Sequence, residues 1–437
     1  MKILLATILV YIFTTPLLAQ ILNGPMIGHV THGEVKLWVQ TKQSQTVAFA
    51  HRKFPSEEQW SYTQAFVTKQ NEAFICELTL ENLSPGQTYA YRVVLNNELQ
   101  AAIGKQQFTT TTLWAYRSPV PDFSFAIGSC TYINEPDSDR KGKPYGEAYQ
   151  IFESIAQKQP NLMLWLGDNV YYREPDWTSK SGMMHRYTHS RNISELQQLL
   201  ANTPQYAIWD DHDFGPNDSD GSFINKGMSK EVFDLFWANP DQNHPDIKGI
   251  SNQFEWADCH FFLLDNRFER APNQRKDGDR TILGKSQLDW LKDALVSSKA
   301  SFKFIALGGQ FLNTAPVFEN YSANGFDKER QELIDFIYLH QIKNVIFLTG
   351  DRHHSEMSML KEEGKPTIYD LTISPLTSGV HDASKEANTL RVEGSHIAVR
   401  NYGLLSVEGD LKTRVLSIVI NDAGGLPLWQ TKIELEK

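Results

Sequence analysis

Residues 162–172 read LMLWLGDNVYY: five apolar residues, a glycine and then an aspartate. An unbroken apolar run of strand length has no solvent-facing alternation, so it predicts a strand covered on both faces, as in a sheet packed between layers. Gly167-Asp168 ends the run and leaves a carboxylate at its C-terminal end. The same grammar recurs in the chain. FSFAIGSC (123–130) ends at Cys130, QYAIWDD (205–211) ends at Asp210 and Asp211 before His212, and VIFLTGDRHH (345–354) ends at Asp351, His353 and His354. In layered α/β sheets, ligands bind beyond the carboxyl ends of the strands. Each ending has a bland reading when taken singly: a turn, a helix cap, a solvated pair. Four of them, each directly after an apolar strand, point instead to one shared site.

Helical patterns separate these strands: GEAYQIFESIAQKQ (146–159), ISELQQLLANT (193–203), SKEVFDLFWAN (229–239, with Ser229 placed as N-cap), GKSQLDWLKDALVSSKA (284–300) and DKERQELIDFIYLHQ (327–341). FEWADCHFFLLDNR (254–267) and FKFIALGGQ (302–310) read as further strands, and the tail from 366 returns to strands that complete the sheets. Alternation of apolar strands with amphipathic helices predicts an α/β layered domain. The first part of the chain differs. GEVKLWVQT, TVAFAHRK, AFICELTL, TYAYRVVL and QQFTTTT, between residues 33 and 112, are short alternating strands with turns between them, which predicts a β-sandwich. Within it, LSPGQTYAYRV resembles fibronectin-III-like and immunoglobulin-like modules, with Tyr89 and Tyr91 near a sheet corner. The expected boundaries are a sandwich over 20–112, a proline-containing linker over 113–122 and a second domain over 123–437.

The chain has 437 residues, enough for two domains, and a formal net charge of -10 without a basic block. That balance argues against a nucleic-acid-binding surface or an anionic membrane as partner. MKILLATILVYIFTTPLLAQ (1–20) pairs one lysine with an interrupted apolar run and a small-residue site at Ala19. It reads as a signal peptide over 1–19, hence an exported protein, periplasmic or extracellular; an uncleaved N-terminal anchor is the rival reading, and no other segment suits a transmembrane anchor. The three cysteines differ in setting: Cys76 and Cys259 sit in apolar strands and read as packing, whereas Cys130 sits at a strand tip.

The donors at the strand ends are carboxylates, imidazoles, a phenol (Tyr171) and a thiol. Carboxylates suit hard divalent cations, imidazole suits first-row transition metals, and tyrosinate with thiolate suits iron. A carboxylate shared by two cations, a role best filled by Asp168, holds a pair about 3.5–4 Å apart for hydrolysis, and phosphoryl transfer is the chemistry that most needs such a pair. In AIWDDHDFGPNDSDG (207–221), four ionisable residues in a row, Asp210 to Asp213, are costly unless positive charge sits among them.

The series GSC (Cys130), GD-NVY (Asp168, Tyr171), WDDHD (Asp211-His212-Asp213) and GDRH (Asp351, His353) resembles the calcineurin-like metallophosphoesterases, and within them the PhoD-like alkaline phosphatases. It departs from the general superfamily pattern in the PhoD-like way: Cys130 replaces the first ligands, Asp211 stands where asparagine is usual, and Asp351 stands where a histidine is usual. The resemblance spans roughly residues 24–430. It implies an α/β core of two packed mixed β-sheets flanked by helices, preceded by the all-β sandwich. It also implies Fe³⁺ held by Cys130 and Tyr171, Asp168 bridging, and one or two Ca²⁺ beside it using Asp211, Asp351 and His353, with another divalent metal pair as the alternative. The expected activity is hydrolysis of small phosphate mono- or diesters by attack of a metal-bound hydroxide. A phospholipase-D-like diesterase acting on lipid or cell-wall phosphodiesters, and a non-catalytic metal-binding adhesion protein, are the rival readings.

The remaining site expectations follow from position. His212 is expected to stabilise the phosphoryl transition state or to protonate the leaving oxygen, with Asp213 orienting its ring; a metal-ligand or purely structural role is the rival reading. Asn217 and Asp218 are expected either at a phosphate oxygen or on the second metal, Asn217 also in a catalytic role. Arg267 is expected either to contact a substrate phosphate or to pair with Asp265. Asp210 is read as a partner behind the ligands, Gln310 as a weak ligand candidate, His354 as support for His353, and Ser129 as a turn residue.

Overall fold

The apolar strands do lie at the centre of layers. The computed structural model describes residues 20–56, 58–241, 244–317, 320–323 and 325–436, so the expected signal peptide over 1–19 lies outside the described residues. One six-stranded sheet runs in the order Gln205–Ile208, Leu162–Leu166, Phe123–Gly128, Asn401–Glu408, Val415–Asp422, Pro427–Glu434. Its first three strands are parallel and the rest antiparallel. The second six-stranded sheet runs Asn252–Trp256, Cys259–Leu263, Phe302–Leu307, Val345–Thr349, Ile368–Thr372, Glu356–Leu360, with parallel pairing in the middle and an antiparallel strand at each edge. The sheets pack face to face through aromatic side chains. Phe125 meets Phe261 and Phe304 edge-on, with ring centroids 5.3 and 5.1 Å apart. Helices Lys285–Ser297 and Asp327–Leu339 bury Leu291, Leu295, Leu333 and Ile337 in a separate core outside the second sheet.

Two local expectations are corrected, and one element is added. FEWADCHFFLLDNR is a hairpin rather than one strand, because Ala257 takes the left-handed conformation (φ 51°) that reverses the chain between Trp256 and Cys259. The helix carrying Ser229 starts earlier, at Lys226, with Asn225 as N-cap. Ser229 lies inside it, and its hydroxyl donates to Phe214 O at 2.6 Å. KSGMMHRYTHSR, not among the expected elements, forms the helix Lys180–Arg191, where Ser179 Oγ accepts from Gly182 N as a helix cap.

The N-terminal strands form a sandwich. Ile21–Val30, Val35–Thr41 and Ile75–Leu80 make one sheet; Thr46–Lys53 and Thr88–Leu95 centre the other. Tyr89 stands at the corner as expected and its hydroxyl accepts from Ser84 N at 2.8 Å. The alternation predicted for Val35–Thr41 is largely lost, since both faces of that strand are buried. Its outer face packs on the α/β domain: Trp38 is fully buried, its Nε1 donates to Leu235 O at 3.0 Å, and Met26, Trp38 and Ile75 belong to the large α/β core. No helix among the described residues is long and apolar enough to cross a membrane.

Candidate metal centre

Parallel strands in both sheets end at one edge of the layers, and their next residues converge. Phe123–Gly128 delivers Cys130, Leu162–Leu166 delivers Asp168, Gln205–Ile208 delivers Asp210 and Asp211, and Val345–Thr349 delivers Asp351 and His353. Cys130, Asp168, Asp351 and His353 all adopt positive φ, between 51° and 66°, a conformation that non-glycine residues rarely hold without support. Here the close approach of the strand ends supplies it. Gly350 fits only as glycine, because a Cβ there would lie 2.5 Å from Leu166 O and 2.7 Å from Ser129 Cβ.

The donor atoms group in overlapping sets. Cys130, Asp168 and His353 present ligand atoms within 4.8 Å of one another; so do Asp168, Asp211 and His212, and so do Asp210, Asp211 and Asp351. Asp168 is common to the first two sets and Asp211 to the last two. Cys130 Sγ lies 3.7 Å from Asp168 Oδ2 and receives hydroxyl donation from Ser374 at 3.1 Å and Ser129 at 3.5 Å. Tyr171 OH lies 3.2 Å from His353 Nε2, and its ring packs on that of His212 with centroids 4.2 Å apart.

Electrostatically the cluster is a collection of buried acids. Burial and then the neighbouring Asp211 push the Asp168 carboxyl well above the usual carboxylate range. Burial also acts on Asp211, but His212 and Arg267 outweigh it and hold that carboxyl at about 2. Burial, then His212, lowers His353 to about 4, so its imidazole is neutral and its lone pair is available to a metal. Burial, then Asp168, raises both Cys130 and Tyr171. Buried acids crowded in this way are relieved by cations, and the mixture of thiol, phenol, imidazole and carboxylate donors fits a pair of metal ions.

Most of the expected ligands therefore come together, with one regrouping: His353 sits with Cys130, Asp168 and Tyr171 rather than with Asp211 and Asp351 alone. Other roles change. Asp213 does not serve as the ring-orienting partner of His212. Its buried carboxylate accepts from Asn169 N at 3.0 Å, Asp210 N at 3.1 Å and Tyr187 OH at 3.2 Å, within the capping box of the one-turn helix Asp211–Phe214. Arg267 is fully buried and so does not offer itself to a substrate phosphate. Its guanidinium pairs with Asp210 and reaches Asp211 Oδ1 at 3.7 Å, while Asp265 accepts from its backbone N–H at 2.8 Å. Asp210 is thus a partner behind the ligands, also held by Asn266 at 2.7 Å. Gln310 turns away and donates to Glu356 and Thr372 at 3.0 and 2.9 Å. The ring of His354 lies with those of His381 and His396.

Asn217 is exposed at the rim, and Asp218 (φ 61°) donates its N–H to Asp211 Oδ2 at 2.6 Å. Two contributors had no signal in the sequence. Tyr145, from an irregular polar loop, brings its hydroxyl 3.1 Å from His353 Nδ1, and Ser374 donates to Cys130 from 244 residues away.

Two mixed sheets packed face to face, with metal-type donors at one edge, define a metallophosphoesterase architecture. The PhoD-like phosphatase family model matches residues 125–409, and the chain belongs to that family. A second model, a domain of unknown function (DUF7800), matches residues 18–113. Alkaline phosphatase D of Bacillus subtilis (strain 168) is 27% identical over 390 residues, covering 77% of this chain and 64% of that protein, so the chain spans less than two thirds of that relative's length. The solved structure of PhoD superposes with a TM-score of 0.75 at 19% identity, covering 94% of this chain and 92% of that one. The purple acid phosphatase PPD1 from yellow lupin (Lupinus luteus) seeds shares the fold, with a TM-score of 0.68 at 11% identity over 94% of this chain and 74% of its own.

Proposed function

We propose that the chain is a metal-dependent phosphoesterase that hydrolyses small phosphate mono- or diesters. The observation that carries this reading is the sharing of Asp168 between the Cys130–Asp168–His353 and Asp168–Asp211–His212 groups, the arrangement needed of a carboxylate bridging two cations. On this reading Cys130, Tyr171 and His353 hold Fe³⁺, and Asp211 and Asp351 hold Ca²⁺. Bound there, the cations supply a nucleophilic water and neutralise charge on the phosphate oxygens. His212, half-buried at the rim and packed on Tyr171, donates the proton to the leaving oxygen. Asn217 orients a phosphate oxygen from the lip, beside Asp218, which the left-handed turn at φ 61° fixes against Asp211. Residues 1–19 are a leader that exports the enzyme.

The test combines metal analysis of the purified protein with turnover of p-nitrophenyl phosphate and bis-p-nitrophenyl phosphate, with and without a chelator. The expected result is bound metal and chelator-sensitive turnover, with the ratio of the two rates giving the ester preference. A metal-free, chelator-insensitive protein overturns the reading. Fusion of residues 1–25 to a reporter tests export: a reporter that stays in the cytoplasm removes that element alone.

A further inference from the structure

Behind the strand end that carries His353 lies a second group of donors that shares no residue with the proposed active centre. One ligand atom from each of His354, His396 and Glu356 lies within 4.8 Å of the others. His354 and Glu356 are wholly buried. His354 Nδ1 lies 2.8 Å from Arg352 O, and a carbonyl only accepts, so Nδ1 carries a proton, and in the neutral ring Nε2 presents a lone pair. The same logic holds for His396. Its Nε2 lies 3.0 Å from Asp382 Oδ1, so Nε2 donates to the carboxylate and Nδ1 presents the lone pair.

Both lone-pair nitrogens are buried and neither has a hydrogen-bond partner. His354 Nε2 is 3.8 Å from Glu356 Oε1, too long for a hydrogen bond. Two buried ring nitrogens without a partner beside a buried carboxylate are an unfavourable arrangement, and a cation among them satisfies all three. An outer carbonyl or carboxylate that fixes the tautomer of each ring is the support that metal-binding histidines use. Glu356 is held in place by Gln310, Asn313 and Asn388 at 3.0, 2.6 and 3.0 Å and by Arg391, so the third donor is rigid.

We propose that His354, His396 and Glu356 form a site for a borderline divalent cation, best matched by Zn²⁺. Two imidazoles and one carboxylate are a zinc donor set, with a fourth position left to water. The site ties the loop after Val345–Thr349 to the segment 381–397. That segment already bridges to the next strand through Ser355–Ile397 and Ser358–Arg391, and His381 N donates to His353 O at 2.9 Å. A zinc crosslink there braces the backbone of His353 from its far side. The inference does not depend on the phosphoesterase reading.

The experiment uses the full chain, stripped with a chelator and titrated with Zn²⁺, alongside His396→Gln and Asp382→Asn. The wild type is expected to bind one equivalent more than His396→Gln and to gain thermal stability on zinc addition that His396→Gln does not. Asp382→Asn is expected to keep the site with affinity weakened by about 10- to 100-fold. Should His396→Gln fail to fold, anomalous diffraction at the zinc edge on wild-type crystals decides. A peak between His354 and His396 supports the site; peaks confined to the Cys130–Asp168 region, or equal zinc content in wild type and His396→Gln, overturn it.

Discussion

Asp210 shows what a single residue contributes to this cluster. It is fully buried, it receives the Arg267 guanidinium and the Asn266 amide, and it sits directly before Asp211. Removing one partner of a buried pair leaves an uncompensated charge, which costs more than the pair itself contributes. Arg267→Met is therefore expected to lower unfolding free energy by about 3–5 kcal/mol in urea titrations, and a loss under about 1 kcal/mol would contradict the pairing argument. Asp168 and His212 separate ligand from acid. Asp168→Ala should remove both bound metal and turnover, whereas His212→Ala should keep the metal and lose about 10²- to 10⁴-fold in kcat. Metal analysis of the two purified variants distinguishes them, because loss of metal from His212→Ala makes that residue a ligand.

At the scale of elements, the site depends on how closely strand ends approach. The strand Val345–Thr349 meets Leu162–Leu166 and Ser129 across Gly350, whose N–H donates to Gly308 O at 2.7 Å. Gly350→Ala forces backbone apart at the point where Asp351 and His353 leave the sheet. It should cost about 1–3 kcal/mol in thermal unfolding and reduce metal occupancy, and unchanged occupancy would show that the ligand loops tolerate the displacement. The one-turn helix Asp211–Phe214 shows why WDDHD could be located from the sequence but not resolved into roles. Helical turning sends successive side chains in different directions, so Asp213 faces Tyr187 and Asn169 while Asp211 faces the donors of the site. Spacing along the chain suggested that Asp213 serves His212, and the turn removed that partnership.

In the whole molecule, the sandwich is part of the same packed body as the α/β domain. His29 N donates to Ala238 O at 2.8 Å, and the neighbouring Gly28 has no room for a side chain, since a Cβ there would fall 2.3 Å from Ala238 Cβ. The His29 ring sits 3.2 Å from Tyr206 OH, and burial, then Lys36, lowers it to about 4. An unfolded histidine keeps its ordinary value near 6.5 and so takes up a proton first as pH falls. The contribution of His29 is therefore fully present above about pH 6.5 and is lost as pH drops toward 4, by at most about 3 kcal/mol. The stability gap between wild type and His29→Gln should shrink over that window in denaturant titrations at stepped pH; a constant gap would contradict the assignment. Trp38→Ala should cost about 3–5 kcal/mol and destabilise both domains together, because its ring fills the seam between them.

The sequence by itself determined the layers and the edge at which the chemistry collects. Apolar strands covered on both faces must sit inside a packed sheet, and Cys130, Asp168, Asp211, Asp351 and His353 each follow one, so their convergence was legible before any contact was known. Only the tertiary structure decided the partners. Arg267 and Asp210 are 57 positions apart, and Ser374 and Cys130 are 244 apart, distances over which local pattern carries no information. The same holds for His354 and His396, which the fold brings together beside Glu356. Periodicity records which face of an element is buried; what lies opposite that face is fixed only when the sheets close on each other.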